Sequence, residues 1–312
     1  MNPLHIAARH GPYVLLAGLI AGLLLPGLAQ PMRPLLPPMV VLLLFVTVLR
    51  MQPESILGSI RHLPQVIAIV VALQLALPLL VLAGGAAGAW IGSPVLFALL
   101  VMTAAPSIAG SPNLCRMMGH SPEFALRLLV VGTALLPLTM APVFWLAPEL
   151  GSFSAVLWAA GKLLITISLA TAVAITLRKT MLRTPSEDTE LSLEGLANIT
   201  LAVFVVGLMP SVSESLLMDT GQALFWIVFV CVVNFGAQVV FFKLTQFRLP
   251  PASATAVSVI SANRNIALFF VALPPDVTAP IMVFIGAYQI PMYLTPLVMR
   301  WLYQRGPKPT GQ

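Results

Sequence analysis

Apolar residues run along this chain in long unbroken blocks, separated by short polar or proline-rich punctuation, with little of the two- or three-to-four-residue alternation that marks half-buried elements of a water-soluble domain. Ten blocks stand out, at about 12–29, 35–51, 64–84, 94–118, 122–147, 154–178, 195–213, 222–243, 251–274 and 278–303. A helix needs roughly 17–25 apolar residues to cross the hydrocarbon core, so the pattern predicts ten transmembrane helices and an all-α polytopic fold. The second block is short and opens on prolines, and its lower end can draw on the amphipathic stretch from Ser55 to His62. The first resembles a signal peptide, with Arg9, an apolar run from Tyr13 to Leu25 and small residues after it. Pro31 sits awkwardly after a cleavage site, so a retained first helix is expected.

Two blocks carry breaks. The fourth contains Pro106 to Asn113, with two prolines, a glycine and small polar residues; the ninth contains Ser261-Ala262-Asn263-Arg264-Asn265. Prolines and glycine break a helix in the first case, and polar side chains replace them in the second. Freed backbone groups survive at membrane depth only inside protein or against water, so both breaks are expected to face an interior. In the next block each break is followed by a proline pair, Pro137 with Pro142 and Pro291 with Pro296. The block before each carries isolated amides, Gln74 in one case and Asn234 with Gln238 in the other. These matches predict a duplicated five-helix unit, 1–150 and 151–312. Five is odd, so the second copy is inverted. Inverted repeats with one interrupted helix each are a signature of secondary transporters.

Composition sharpens the picture. The 312 residues are 59% hydrophobic and 8% charged, with a mean hydropathy of +0.98, outside the range of soluble globular domains. The pI near 9.8 has a topological explanation that removes nucleic acid as a partner. With ten spans, thirteen Lys and Arg residues from Arg9 to Lys308 fall on one side and Arg33 alone on the other. The bias places the chain in a cell membrane, of the bacterial inner-membrane kind, with both termini cytoplasmic. The segment from Arg178 to Glu194 reads as a solvated cytoplasmic connector. Cys115 and Cys231 lie in apolar surroundings and support neither a disulfide nor a metal site. No cofactor is expected, and no hydrolase, nucleotide-binding or zinc motif is present to suggest an enzyme.

The candidate chemistry is concentrated at the breaks. Ser111, Asn113, Asn263 and Asn265 offer neutral donors and acceptors, and Thr133 is a plausible hydroxyl neighbour. Arg264 is a fixed charge in mid-block, where a guanidinium costs roughly 2.5 to 3.5 kcal/mol unless it faces a partner or cavity. All ten acidic residues lie in loops or at block ends, so no carboxylate pairs with it in any span. The two readings are an anion site, with Lys162 as a second contact, and a permanent bond to the carbonyls of the broken helices. For Lys162 the alternative is snorkelling to the surface.

At this point the chain resembles the bile acid:sodium symporter family, within the wider group that includes arsenite exporters. The resemblance covers essentially the whole chain. It rests on Gln74 and Pro78, on Pro106, Ser111 and Asn113, on Thr133 and Pro137, and on Asn265. It implies ten helices, with spans 3, 4, 5, 8, 9 and 10 forming a core, spans 1, 2, 6 and 7 a panel, and substrate between them. Sodium-coupled members share Glu-x-x-x-Gln-Asn in span nine. Here Ile260 stands at the glutamate and Arg264 at the glutamine, and Pro112 is inserted into the usual Ser-Asn pair. Gln74, Thr133 and Ser261 are then remnants of ion sites. The expected function is a secondary transporter for a small organic anion in which the Arg264 guanidinium replaces a bound sodium ion, with sodium coupling in doubt. The rivals are a sodium symporter using carbonyls and amides, and a non-transporting sensor or scaffold of the same fold.

Overall fold

The computed structural model describes residues 2–51, 63–147, 149 and 152–304. The stretch from Ser55 to His62 and the basic residues Arg61, Arg305 and Lys308 lie outside the described residues. Those described are helical, and their one β feature is an isolated bridge. In chain order the principal helices are α1 (Pro3–Arg9), α2 (Gly11–Leu24), α3 (Leu36–Arg50), α4 (Leu63–Ala87), α5 (Pro94–Ala104) and α6 (Ser111–Met117). They continue as α7 (Glu123–Leu146), α8 (Phe153–Thr180), α9 (Glu187–Met218), α10 (Thr220–Thr245), α11 (Pro251–Ala262) and α12 (Pro275–Gln304).

Among the described residues, seven helices are long and apolar enough to cross a membrane: α3 with its leading turn, α4, α7, α8, α9, α10 and α12. The chain is thus a helical membrane protein, but the expected ten membrane-spanning helices are not found among the described residues. Helix α1, which lies ahead of the first apolar block, is bent by 98° from α2, and the fourth and ninth blocks are split at their expected breaks, leaving α5 and α11 as short apolar helices. The splitting is local chemistry. After α5 the chain turns extended at Ala105, ahead of Pro106, and re-enters a helix only at Ser111, with Pro112 in its first turn where a missing N–H costs nothing. After α11 it turns extended at Asn263 and reforms short turns from Ile266 to Leu268 and from Phe269 to Ala272.

A second departure concerns α9, which begins well before position 195. The Ser186 side chain accepts the Thr189 N–H at 3.2 Å, and Glu187, Asp188 and Glu190 fill the first turn, where carboxylates suit the helix dipole. The expected connector therefore ends in helix. At 32 residues α9 runs about 48 Å at 1.5 Å per residue. Its first turns hold α1, with His5 Nε2 3.1 Å from Ser192 Oγ and Asn198 Nδ2 donating to the Ala7 carbonyl at 3.0 Å.

Helix α2 packs on α9, and α3 on both α8 and α9; α10 packs on α11, and α4 on α7. Two apolar clusters differ in reach. One joins both groups: Val40, Phe204 and Leu208 of α3 and α9 bury with Phe144, Phe269 and Phe284. Rings Phe144 and Phe269 lie 5.3 Å apart, edge to face. Gly286 permits the close approach of α12 to α9, since a Cβ there would lie 2.6 Å from Val212 Cγ2. The other cluster, with Val66, Val70, Phe124, Phe242, Val257 and Tyr303, involves α4, α7, α10, α11 and α12 and none of α2, α3, α8 or α9. Among the described residues the two helix groups therefore share an apolar cluster at one end and none at the other, where Arg50 pairs with Glu194 at 3.3 Å and Arg178 with Glu190 at 4.0 Å.

Candidate functional site

The two extended breaks cross. Ser107 and Arg264 form an antiparallel bridge in which Asn265 N donates to the Pro106 carbonyl at 2.7 Å and Ile108 N to the Asn263 carbonyl at 3.1 Å. Each strand-like break thus satisfies part of the other's freed backbone. What remains unsatisfied at the crossing is mostly carbonyl, because α5 and α11 both end there.

Arg264 supplies the missing donors. Its side chain is 1% exposed; Nε donates to the Ser261 carbonyl at 3.1 Å, one terminal nitrogen to Ala105 at 3.0 Å and the other to Leu73 at 3.2 Å. Ser261 belongs to the end of α11 and Ala105 to the end of α5. Leu73 lies within α4, and its availability has a separate cause. Residues Ala72–Ala76 form a π turn in which the Leu77 N–H bonds the Ala72 carbonyl, and Pro78 has no N–H to give. The Leu73 carbonyl is left over, and the guanidinium takes it. Three helices are tied through one planar group, which suits five donors in a fixed fork.

The charges also balance. Each helix C-terminus carries roughly half a negative charge, so two C-termini at one point sum to about one, which the single guanidinium offsets. The positive charge at the crossing is thus a covalently attached one.

The other expected residues divide. Asn263 is fully buried; its Nδ2 donates to the Val259 carbonyl at 2.9 Å and its Oδ1 accepts from Thr295 Oγ1 at 3.3 Å. Ser261 donates to the Ser258 carbonyl at 2.7 Å, and Ser111 lies 2.6 Å from Ser107, hydroxyl to hydroxyl. All three are buried inside the crossing. Gln74 is buried in the π turn against Gly132, with its Oε1 unpartnered. Asn234 donates to the Ala262 carbonyl at 2.8 Å, and Gln238 links Asn234 to Thr295 and Tyr303.

Asn113, Thr133 and Asn265 instead line a cavity of about 580 Å³ between the two helix groups. Its walls are mostly aliphatic, including Leu15, Val40, Leu44 and Leu201, and it reaches Arg116 and Glu194 at the end where the groups separate. Lys162 is not part of it. Its Nζ sits 5.5 Å from the centroid of the exposed Trp158 ring, on the outside of α8. The expected second contact for an anion is therefore not made: the position falls on the helix face opposite the cavity-lining Ile167 and Thr171.

Several site residues were not singled out from the sequence. Tyr288 accepts the Arg264 backbone N–H at 3.0 Å and donates to the Ala262 carbonyl, fastening α12 to the crossing. Gln289 and Asn198 line the cavity. Tyrosine in an apolar block gives little signal, but Gln289, an amide in mid-block like Gln74, carried the same mark. A scan against protein-family models and a search of curated proteins each return no match.

Proposed function

We propose that the protein is a secondary active transporter for a small organic anion, working by alternating access and coupled to no sodium ion. The reading places it beside the bile acid:sodium symporter family it resembles, with ten spans in two inverted five-helix repeats, a core of spans 3–5 and 8–10 and a panel of spans 1, 2, 6 and 7. What carries it is the convergence of three carbonyls from three helices on the Arg264 guanidinium, beside a cavity between panel and core. The carbonyls of Ser261, Ala105 and Leu73 are hard oxygen donors of the kind a sodium ion takes, and here a side chain occupies them. Because three of its N–H groups are committed, Arg264 organises the crossing, while the amides of Asn265, Asn113 and Gln289 supply the donors a carboxylate meets on the cavity wall.

Cavity open at the basic end and apolar seal at the other correspond to an inward-facing state, given that Lys and Arg mark the cytoplasmic side. The test is uptake of a panel of radiolabelled carboxylates by purified protein in liposomes, with sodium or choline as the external cation. Equal uptake in the two is expected. Steep sodium dependence removes the fixed-cation reading in favour of a symporter, and no uptake of any solute favours a sensor or scaffold.

A further inference from the structure

One charged residue and one methionine from each helix group line the cavity. On the core side, consecutive residues Arg116 and Met117 of α6 are both exposed and line the opening. On the panel side stand Met51, just past the end of α3, and Glu194 of α9. Glu194 is engaged within the panel, its Oε2 3.3 Å from a terminal nitrogen of Arg50, and both side chains are about one-third exposed. Arg116 has no ion pair within 4.0 Å among the described residues, and it lines the same cavity as the Glu194 carboxylate.

We propose that Glu194 is a partner-switching gate: it pairs with Arg50 while the mouth is open and is taken by Arg116 when panel and core close, with Met51 and Met117 meeting beneath the new pair. The inference rests on alternating access. It adds the element that decides which state the mouth prefers. Arg50 and Arg116 compete for one carboxylate, so the open state keeps Glu194 neutralised without blocking the opening. An ion pair between partly exposed groups is weak enough to exchange at each cycle, whereas an apolar seal alone at this end would hold one state. A bidentate-capable guanidinium on both sides lets the carboxylate pass between equivalent partners.

The experiment uses the full chain in liposomes with Cys115→Ala and Cys231→Ala, carrying Met51→Cys and Met117→Cys. The rate of disulfide formation under copper phenanthroline reports how often the mouth closes. In this background a crosslink is expected. Arg116→Leu or Glu194→Gln should slow it at least fivefold, and Arg50→Leu should accelerate it, since removing the competitor frees Glu194 for Arg116. The opposite directions matter, because general loss of folding slows all three alike; the melting temperature of each variant is recorded beside the rate. No crosslink in the parent protein, or a rate indifferent to all three charges, overturns the gate. Crosslinking that responds as expected in a protein that moves no solute leaves the gate standing and removes the transport reading instead.

Discussion

At the scale of single residues, the crossing turns on what a guanidinium does that no other side chain can. Arg264 holds three carbonyls that point from different directions, and a lysine ammonium, a point donor on a flexible stem, cannot span them. Arg264→Lys should therefore leave at least one buried carbonyl unpaired, at a cost of about 1–3 kcal/mol, read as a lowered melting temperature in detergent. Arg264→Gln goes further, removing the charge and reinstating the glutamine of the sodium-coupled resemblance. Its expected signature is a new sodium-dependent rise in melting temperature, absent from the parent protein. A parent protein already stabilised by sodium over choline would show that a metal ion finds a place despite the guanidinium. Tyr288→Phe tests the neighbouring fastening: with the hydroxyl gone, the Arg264 N–H loses its acceptor and the Ala262 carbonyl keeps only Asn234. A loss of about 1–3 kcal/mol is expected, since a buried N–H is left without a partner.

At the scale of elements, the breaks could be read ahead because they are written in local chemistry. Pro106, Gly110 and Pro112 cannot sustain a helix, and Asn263-Arg264-Asn265 is too polar for an apolar block unless something receives it. The π turn of α4 could not be read. Pro78 hinted at a freed carbonyl, but which register the helix would adopt around it depends on Arg264, which lies 186 positions further along the chain. The same limit hid Tyr288 and Asn198, which matter through partners on other helices, and misplaced Lys162, whose depth was legible while its azimuth on α8 was not. The start of α9 was missed for a different reason: charge density suggested a solvated loop, whereas Ser186 followed by acidic residues is also a helix start. Close helix approach is testable at this scale too. Gly286→Leu would drive its side chain into Val212 and the Leu208 carbonyl of α9, at a cost of about 1–3 kcal/mol for overpacking. Because that contact belongs to the sealed end, the strain falls on the state in which the end is sealed. The variant should populate that state less, which shows as faster labelling of a cysteine at Phe269 by a thiol reagent.

At the scale of the whole molecule, what matters is that the two helix groups share an apolar cluster at one end and a cavity at the other. The aliphatic cavity reaches Arg116 and Glu194, while Phe144, Phe269 and Phe284 are buried in the cluster that joins the two groups, so the transport reading has solute entering from the basic end. That asymmetry and the distribution of Lys and Arg make a joint claim about orientation, and a single labelling experiment addresses both. Thr171→Cys, on the cavity face of α8, is placed in the background lacking Cys115 and Cys231 and expressed in the membrane. A membrane-impermeant maleimide should label it in inside-out vesicles and spare it in right-side-out vesicles. The reverse result would mean that the basic end faces outward and that the positive-inside argument fails for this chain. Equal labelling from both sides would mean that the apolar end opens as readily as the mouth. In that case the packing of Phe144 on Phe269 is not a seal, and the two ends differ in composition without differing in access. The labelled side therefore decides whether the cavity belongs to one state of a two-state cycle or to a permanent passage, which is the distinction between a transporter and a pore.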